Sequence, residues 1–221
     1  MALLAVPVTI AVALILVPLL VKTLDRNAGW PLGLTFLALA GYVIKHADPV
    51  LNGETATWSV TWIQNFLSGA SGAGNASVGA ASTGNSTALD LSLKMDSLGL
   101  FFTLLALLIG AVVFIYSAAY LHRGDKIMSF YVLMTSFMLA VLLLVLADDV
   151  ALLFIGWELV SLASFFLIAR SGSGGEAGSI RTLLLTFVGG LFLLAALGIG
   201  VVTTGTTDLT AMLHSCLLYT S

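Results

Sequence analysis

Residues 128–169 read MSFYVLMTSFMLAVLLLVLADDVALLFIGWELVSLASFFLIA, and the reading of this stretch decides the fold. It consists of two apolar runs, Met128–Ala147 and Val150–Ala169, broken at Asp148-Asp149. Each run matches the roughly 20 apolar residues a helix needs to cross a bilayer. Lipid offers a backbone no hydrogen-bond partners, so such segments must be helices or strands of a closed barrel. Apolar residues here run on without strand alternation, which selects helices.

Working outward, four more runs resemble these two: Met1–Val21, about Asn27–Ile44, Leu98–Leu121 and about Arg181–Thr204. The second is only narrowly long enough to span. Across the chain 59% of residues are hydrophobic and 9% charged, and the mean hydropathy is +1.10. A soluble domain of this length could not bury that much apolar surface in one core, so soluble classes are excluded. No basic residue precedes the first run and Lys22 follows it, which argues for a first span rather than a cleaved signal peptide. The single cysteine, Cys216, excludes an internal disulfide. The sequence thus predicts an all-α polytopic membrane protein of about six transmembrane helices, with the lipid bilayer as its first partner. Nothing in the net charge of −3 points to nucleic acid.

Charge placement orients the spans. Lys22 and Arg26 lie between spans one and two, Arg123 and Lys126 between three and four, and Arg170 and Arg181 flank the loop between five and six. Only Lys45 and Lys94 lie on the other side, so six of the eight basic residues share one side. The positive-inside rule then places the N-terminus outside.

The outer connection, residues 47–95, is not uniform. Thr57–Ile63 and Leu89–Met95 alternate polar and apolar residues, which predicts a β-hairpin on the membrane surface with Trp58 and Trp62 at headgroup level. Between them Ser68–Thr87 is rich in Gly, Ala, Ser and Asn, the composition of a flexible tip. Its Asn75-Ala76-Ser77 and Asn85-Ser86-Thr87 match the glycosylation pattern, but such triplets arise readily by chance in this composition.

Glu158 stands apart from the other charges. It lies midway along the Val150–Ala169 run, where an ionised side chain costs about 2.5–3.5 kcal/mol on the lenient insertion scale. Ser161 follows at i+3 and Ser164 one turn further, making a polar strip that must face protein or water rather than lipid. The functional reading is a carboxylate that takes up and releases protons along an internal path; the bland one is a protonated glutamate tying two helices together. Intramembrane ionisable residues are functional by default, which favours the first. Elsewhere the plainer readings prevail. Asp148 and Asp149 fit a turn and an N-cap, Asp96 and Asp208 fit caps, and His122, Arg123, Asp125 and Lys126 fit orientation signals. Gly172-Ser173-Gly174-Gly175 lacks the ending of a phosphate loop, and Gly189-Gly190 fits close helix packing.

The stretch Phe130–Ile168 resembles the antiporter-like subunits shared by Mrp-type sodium/proton antiporters and the membrane arm of respiratory NADH–quinone oxidoreductase. The likeness extends to Lys94-Met95-Asp96-Ser97-Leu98 and to Arg181–Gly190, and covers most of Trp58 to about Met212. Trp157-Glu158-Leu159 with Ser161 and Ser164 is more similar to the large, MrpA-type subunit of the antiporters than to the respiratory subunits. The resemblance implies a proton-handling role for Glu158, which matches the family's fifth-helix glutamate in motif and helix number. It also implies membership of a multisubunit sodium/proton antiporter in a bacterial plasma membrane, with protons, sodium and sister subunits as partners. The family's seventh-helix lysine partner has no match here. Residues 1–213 are accordingly expected to be the N-terminal transmembrane part of such a subunit. The remainder, 214–221, is a candidate non-native tail where the reading frame is cut short. No cofactor is implied, since neither a dinucleotide fingerprint nor a haem or iron–sulfur pattern is present. A respiratory or hydrogenase proton-pumping subunit, and a structural subunit without transport, are the alternatives.

Overall fold

The computed structural model describes residues 2–53, 55–63, 89–121, 127–170 and 175–220. The Ser68–Thr87 tip with its two glycosylation triplets, the His122–Lys126 loop and Gly172–Gly174 lie outside them. The helices are α1 (Ala2–Leu24), α2 (Gly29–Lys45), α3 (Asp48–Leu51), α4 (Ser97–Tyr120), α5 (Ile127–Val145), α6 (Val150–Ala169), α7 (Gly175–Thr204) and α8 (Leu209–Thr220). Two strands, β1 (Ala56–Ile63) and β2 (Leu89–Met95), form the expected antiparallel hairpin. Among the described residues five helices are long and apolar enough to cross a bilayer: α1, α4, α5, α6 and α7. The sixth expected span, α2, is a shorter apolar helix of 17 residues. The protein is therefore a mostly helical, multi-pass membrane protein carrying a two-stranded hairpin.

The core lies among α1, α2, α4 and α5, where Val6, Ile10, Phe36, Leu107, Phe114 and Tyr131 are fully buried. Lipid gives helices no hydrophobic reason to associate, so close packing must hold them. Gly29 and Gly33, one turn apart on α2, supply it. A Cβ on Gly29 would collide with the backbone oxygen of Phe114 and would stand 2.6 Å from the Tyr131 hydroxyl. One on Gly33 would lie 2.6 Å from Ile115 Cγ1 and 3.1 Å from the Ala111 carbonyl oxygen. Beside this seam Phe36 stacks on Phe114 with centroids 5.0 Å apart, and Phe114 lies parallel to Tyr131 at 6.2 Å.

Next to this core α5 carries α6, and α6 carries α7. The last is largely uncovered: Leu185, Phe192 and Val202 are 76%, 74% and 84% exposed. Gly205, at φ +71°, closes α7 by donating its N–H to the Val201 carbonyl at 2.8 Å, a left-handed cap that glycine makes without strain.

At the hairpin end the turns interlock through their backbones. Lys94 N–H donates to Leu146 O at 2.8 Å, and Asp148 N–H donates to Ser92 O at 3.0 Å. The α5–α6 turn then pairs onward, Val150 N–H to Thr207 O at 3.0 Å and Leu209 N–H to Asp148 O at 2.9 Å. The free edge of β2 is thereby covered, which removes the exposed strand edge a hairpin otherwise presents. Leu93 and Met95 are buried beneath it.

Candidate functional site

Helix α6 starts where Asp149 stops the preceding turn. Its carboxylate accepts from the backbone N–H of Ala151 at 2.8 Å and of Leu152 at 3.4 Å, the N-cap expected of it. Asp96 and Asp208 cap likewise, accepting from Gly99 N–H at 2.7 Å and Ala211 N–H at 3.0 Å.

From that start, α6 turns Leu152, Gly156 and Ala163 into buried positions, and Gly156 brings it against α5. A Cβ there would stand 3.0 Å from the backbone of Leu144. Glu158 lies two residues on and points to the opposite side. The residue is half-buried and its carboxyl meets Gly190 of α7: Oε1 sits in contact with the place a Cβ on Gly190 would occupy. The Trp157 indole Nε1 borders the same place at 3.8 Å. Gly190 is buried, whereas Gly189 faces open space. The expected Gly189-Gly190 packing site is thus a single residue, and it accommodates a carboxylate.

Ser161 and Ser164 both satisfy their hydroxyls on their own helix, donating to Trp157 O at 3.0 Å and Val160 O at 2.8 Å. Neither donates to Glu158; each keeps acceptor lone pairs toward its surroundings. The antiparallel register of the seam follows from its two contacts, Glu158 with Gly190 and Ile168 Cγ2 4.0 Å from the Cβ position of Gly178. Ser161 therefore lies level with Thr186, and Ser164 close to the level of Thr182. Both threonines donate back to α7, to Thr182 O at 2.9 Å and Gly178 O at 3.0 Å. Thr182, Thr186 and Gly190 were invisible as a group in the sequence, although their four-residue spacing on an apolar helix is the signal that could have found them.

A second polar cluster sits at the hairpin end. Lys94 Nζ donates to Thr210 Oγ1 at 2.8 Å, and the Thr210 hydroxyl donates to Asp148 Oδ1 at 2.6 Å. These three line a cavity of about 220 Å³ with Asp96 and Phe102. Asp148 is more than a turn residue, because it ties β2 to α8.

Two family patterns match. Residues 82–131 match "NADH-Ubiquinone oxidoreductase (complex I), chain 5 N-terminus", and residues 147–219 match "NADH:quinone oxidoreductase/Mrp antiporter, TM". The mnhA2 protein of Staphylococcus haemolyticus, named as an antiporter subunit, is 29% identical over 205 residues, covering 90% of this chain and 23% of its own length. A Staphylococcus aureus mnhA2 is 39% identical over 132 residues, 58% of this chain and 16% of the relative. In the solved structure of the Mrp complex from Dietzia sp., a chain 40% identical superposes over 96% of this chain with a TM-score of 0.78, using 21% of its own length. The chain is similar to the MrpA-type, mnhA-like family of antiporter subunits. It matches the N-terminal region of that family, within the wider antiporter-like superfamily of complex I. This MrpA-type homologue spans less than a quarter of the length of the S. haemolyticus relative. A likeness to a chain of the archaeal membrane-bound sulfane sulfur reductase, at 18% identity and a TM-score of 0.65, extends the fold alone.

Proposed function

We propose that this chain is the N-terminal part of a proton-translocating subunit of a multisubunit sodium/proton antiporter in a bacterial plasma membrane, with its N-terminus outside. In this reading Glu158 takes up and releases the transported proton, and Ser161 and Ser164 support it. The observation that carries the reading is where the Glu158 carboxyl lies. The residue stands midway along a span, half-buried, with a carboxyl oxygen in the α6–α7 seam at Gly190. A carboxylate held there changes charge with its surroundings, as coupling to a second ion requires. The named antiporter relatives and the Mrp complex support the antiporter setting, and the basic-residue bias supports the orientation. Sister subunits of such a complex, protons and sodium are the partners.

The electrical part of the driving force amounts to about 2.3 kcal/mol per charge per 100 mV. A second reading, a proton-pumping subunit driven by redox chemistry elsewhere, draws on the match of residues 82–131 to a complex I chain; the match of residues 147–219 is shared by both readings. It assigns Glu158 the same role.

The test is Glu158→Gln in the complete antiporter assembly, reconstituted in vesicles. The amide keeps the shape and loses the proton chemistry, so cation-driven proton movement should fall to background. Full transport by that variant would leave Glu158 a helix tie and remove the mechanism.

A further inference from the structure

Helix α7 contains several glycines, and what replaces their missing side chains differs. Gly189 and Gly198 face open space, Gly178 barely touches Ile168, and Gly200 meets the flexible end of Met212. Gly190 alone among them has a carboxylate oxygen where its Cβ would be. It is also buried on a helix whose neighbouring residues Phe187, Val188 and Leu191 are all exposed. We propose that Gly190 is a positioning residue: a notch in α7 that seats the Glu158 carboxylate in the α6–α7 seam, bordered by the Trp157 indole.

The physical argument is one of space. An oxygen and a carbon not bonded to each other cannot approach as closely as Oε1 and a Cβ on residue 190 would have to. The glutamate arm would have to rotate its carboxyl out of the seam, toward lipid or along α6. In site chemistry a displacement of about 1 Å can cost a hundredfold in rate. Alanine is the better helix former, so any loss in Gly190→Ala cannot be blamed on a weaker α7. Among the described residues no other charge governs the carboxyl from the packed helices: α5 carries none, with Tyr131 turned into the core, and α7 has only Glu176 and Arg181 near its start.

The proposal rests on Glu158 being the proton-handling group, and the experiment separates the two ideas. Cation-driven proton movement would be measured across a pH series in vesicles holding the complete assembly. Gly190→Ala should lower the rate at least tenfold and move the midpoint of the pH profile. Gly189→Ala, facing open space, should do neither. Glu158→Asp withdraws the carboxylate by about one C–C bond, roughly 1.5 Å. It should therefore be impaired alone yet restore most of the rate and the profile when combined with Gly190→Ala. Wild-type rate and profile in Gly190→Ala would overturn the notch while leaving Glu158 standing, provided Glu158→Gln is inactive. Impairment that aspartate does not relieve would also overturn it, reducing Gly190 to a packing residue. If Gly190→Ala does not assemble, assembly of the double variant still supports the notch, and failure of both refutes it.

Discussion

Two helix seams in this protein depend on glycine, and they use it differently. Between α2 and α4, Gly29 and Gly33 let backbone meet backbone: the Phe114 and Ala111 carbonyl oxygens lie where side chains would begin. That seam is buried and flanked by stacked aromatic rings. Between α6 and α7, Gly190 admits the end of a carboxylate instead, beside Ser161, Ser164, Thr182 and Thr186, whose hydroxyls are turned back on their own helices. The first seam gives rigidity through dispersion contacts at close range. The second leaves room for a group that can change charge. A glycine on an apolar helix therefore says that something approaches closely, and only the partner says whether that something is packing or chemistry.

The sharpest way to break this comparison is Gly29→Ala. Its Cβ must displace backbone or the buried Tyr131 hydroxyl, neither of which is a flexible chain end. Overpacking of this kind costs about 1–3 kcal/mol, and this site belongs at the upper end. The complete subunit in detergent should melt several degrees lower. Gly41→Ala, on the open side of the same helix, should melt no lower than wild type. Equal melting of both variants would mean that the α2–α4 seam is looser than its geometry. A smaller effect is expected at the start of α6. Asp149→Ala deprives Ala151 and Leu152 of their cap, at about 1 kcal/mol. Asp149→Asn should recover most of it, because the amide oxygen still accepts. Melting curves of the three proteins would decide.

Much of this architecture is legible in the sequence because a membrane leaves so few choices. The α6 run is bounded by Asp149 and Arg170, and helix and apolar run coincide at Val150–Ala169. The hairpin is legible because Leu89–Met95 alternates where every span does not. The start of α7 is not legible in the same way. Gly175–Ile180 is too small and polar to read as a span, yet it continues the helix because backbone hydrogen bonding does not require hydropathy. Glu158 is conspicuous in sequence by cost alone. The helix it meets is not, because the polar strip with Ser161 and Ser164 demands protein or water without naming the neighbour. That neighbour is set by Gly156 against Leu144 on one side and Gly190 on the other. The clustering of Lys94, Asp148 and Thr210 was equally hidden, since segments distant in the chain meet only after the spans pack.

That hairpin-end cluster offers the mildest test, and it separates holding the fold together from moving protons. Thr210 relays between a cation and an anion: its oxygen accepts from Lys94 and its proton goes to Asp148. Thr210→Val keeps the shape and removes both bonds. Lys94 and Asp148 border a cavity of about 220 Å³ that water can enter, so neither is stranded, and the loss should be on the order of 1 kcal/mol. Because the bridge joins β2 to α8, the local signature should be faster amide exchange in the first turn of α8, at Leu209 and Met212. Thr210→Ser retains the hydroxyl and should exchange as the wild type does. Proton movement should be unchanged in both variants, since the bridge lies at the end of the bundle, away from Glu158. A transport defect in Thr210→Val that Thr210→Ser repairs would show that this end of the molecule takes part in the ion path, and the division between a packed scaffold and a chemical seam would have to be redrawn.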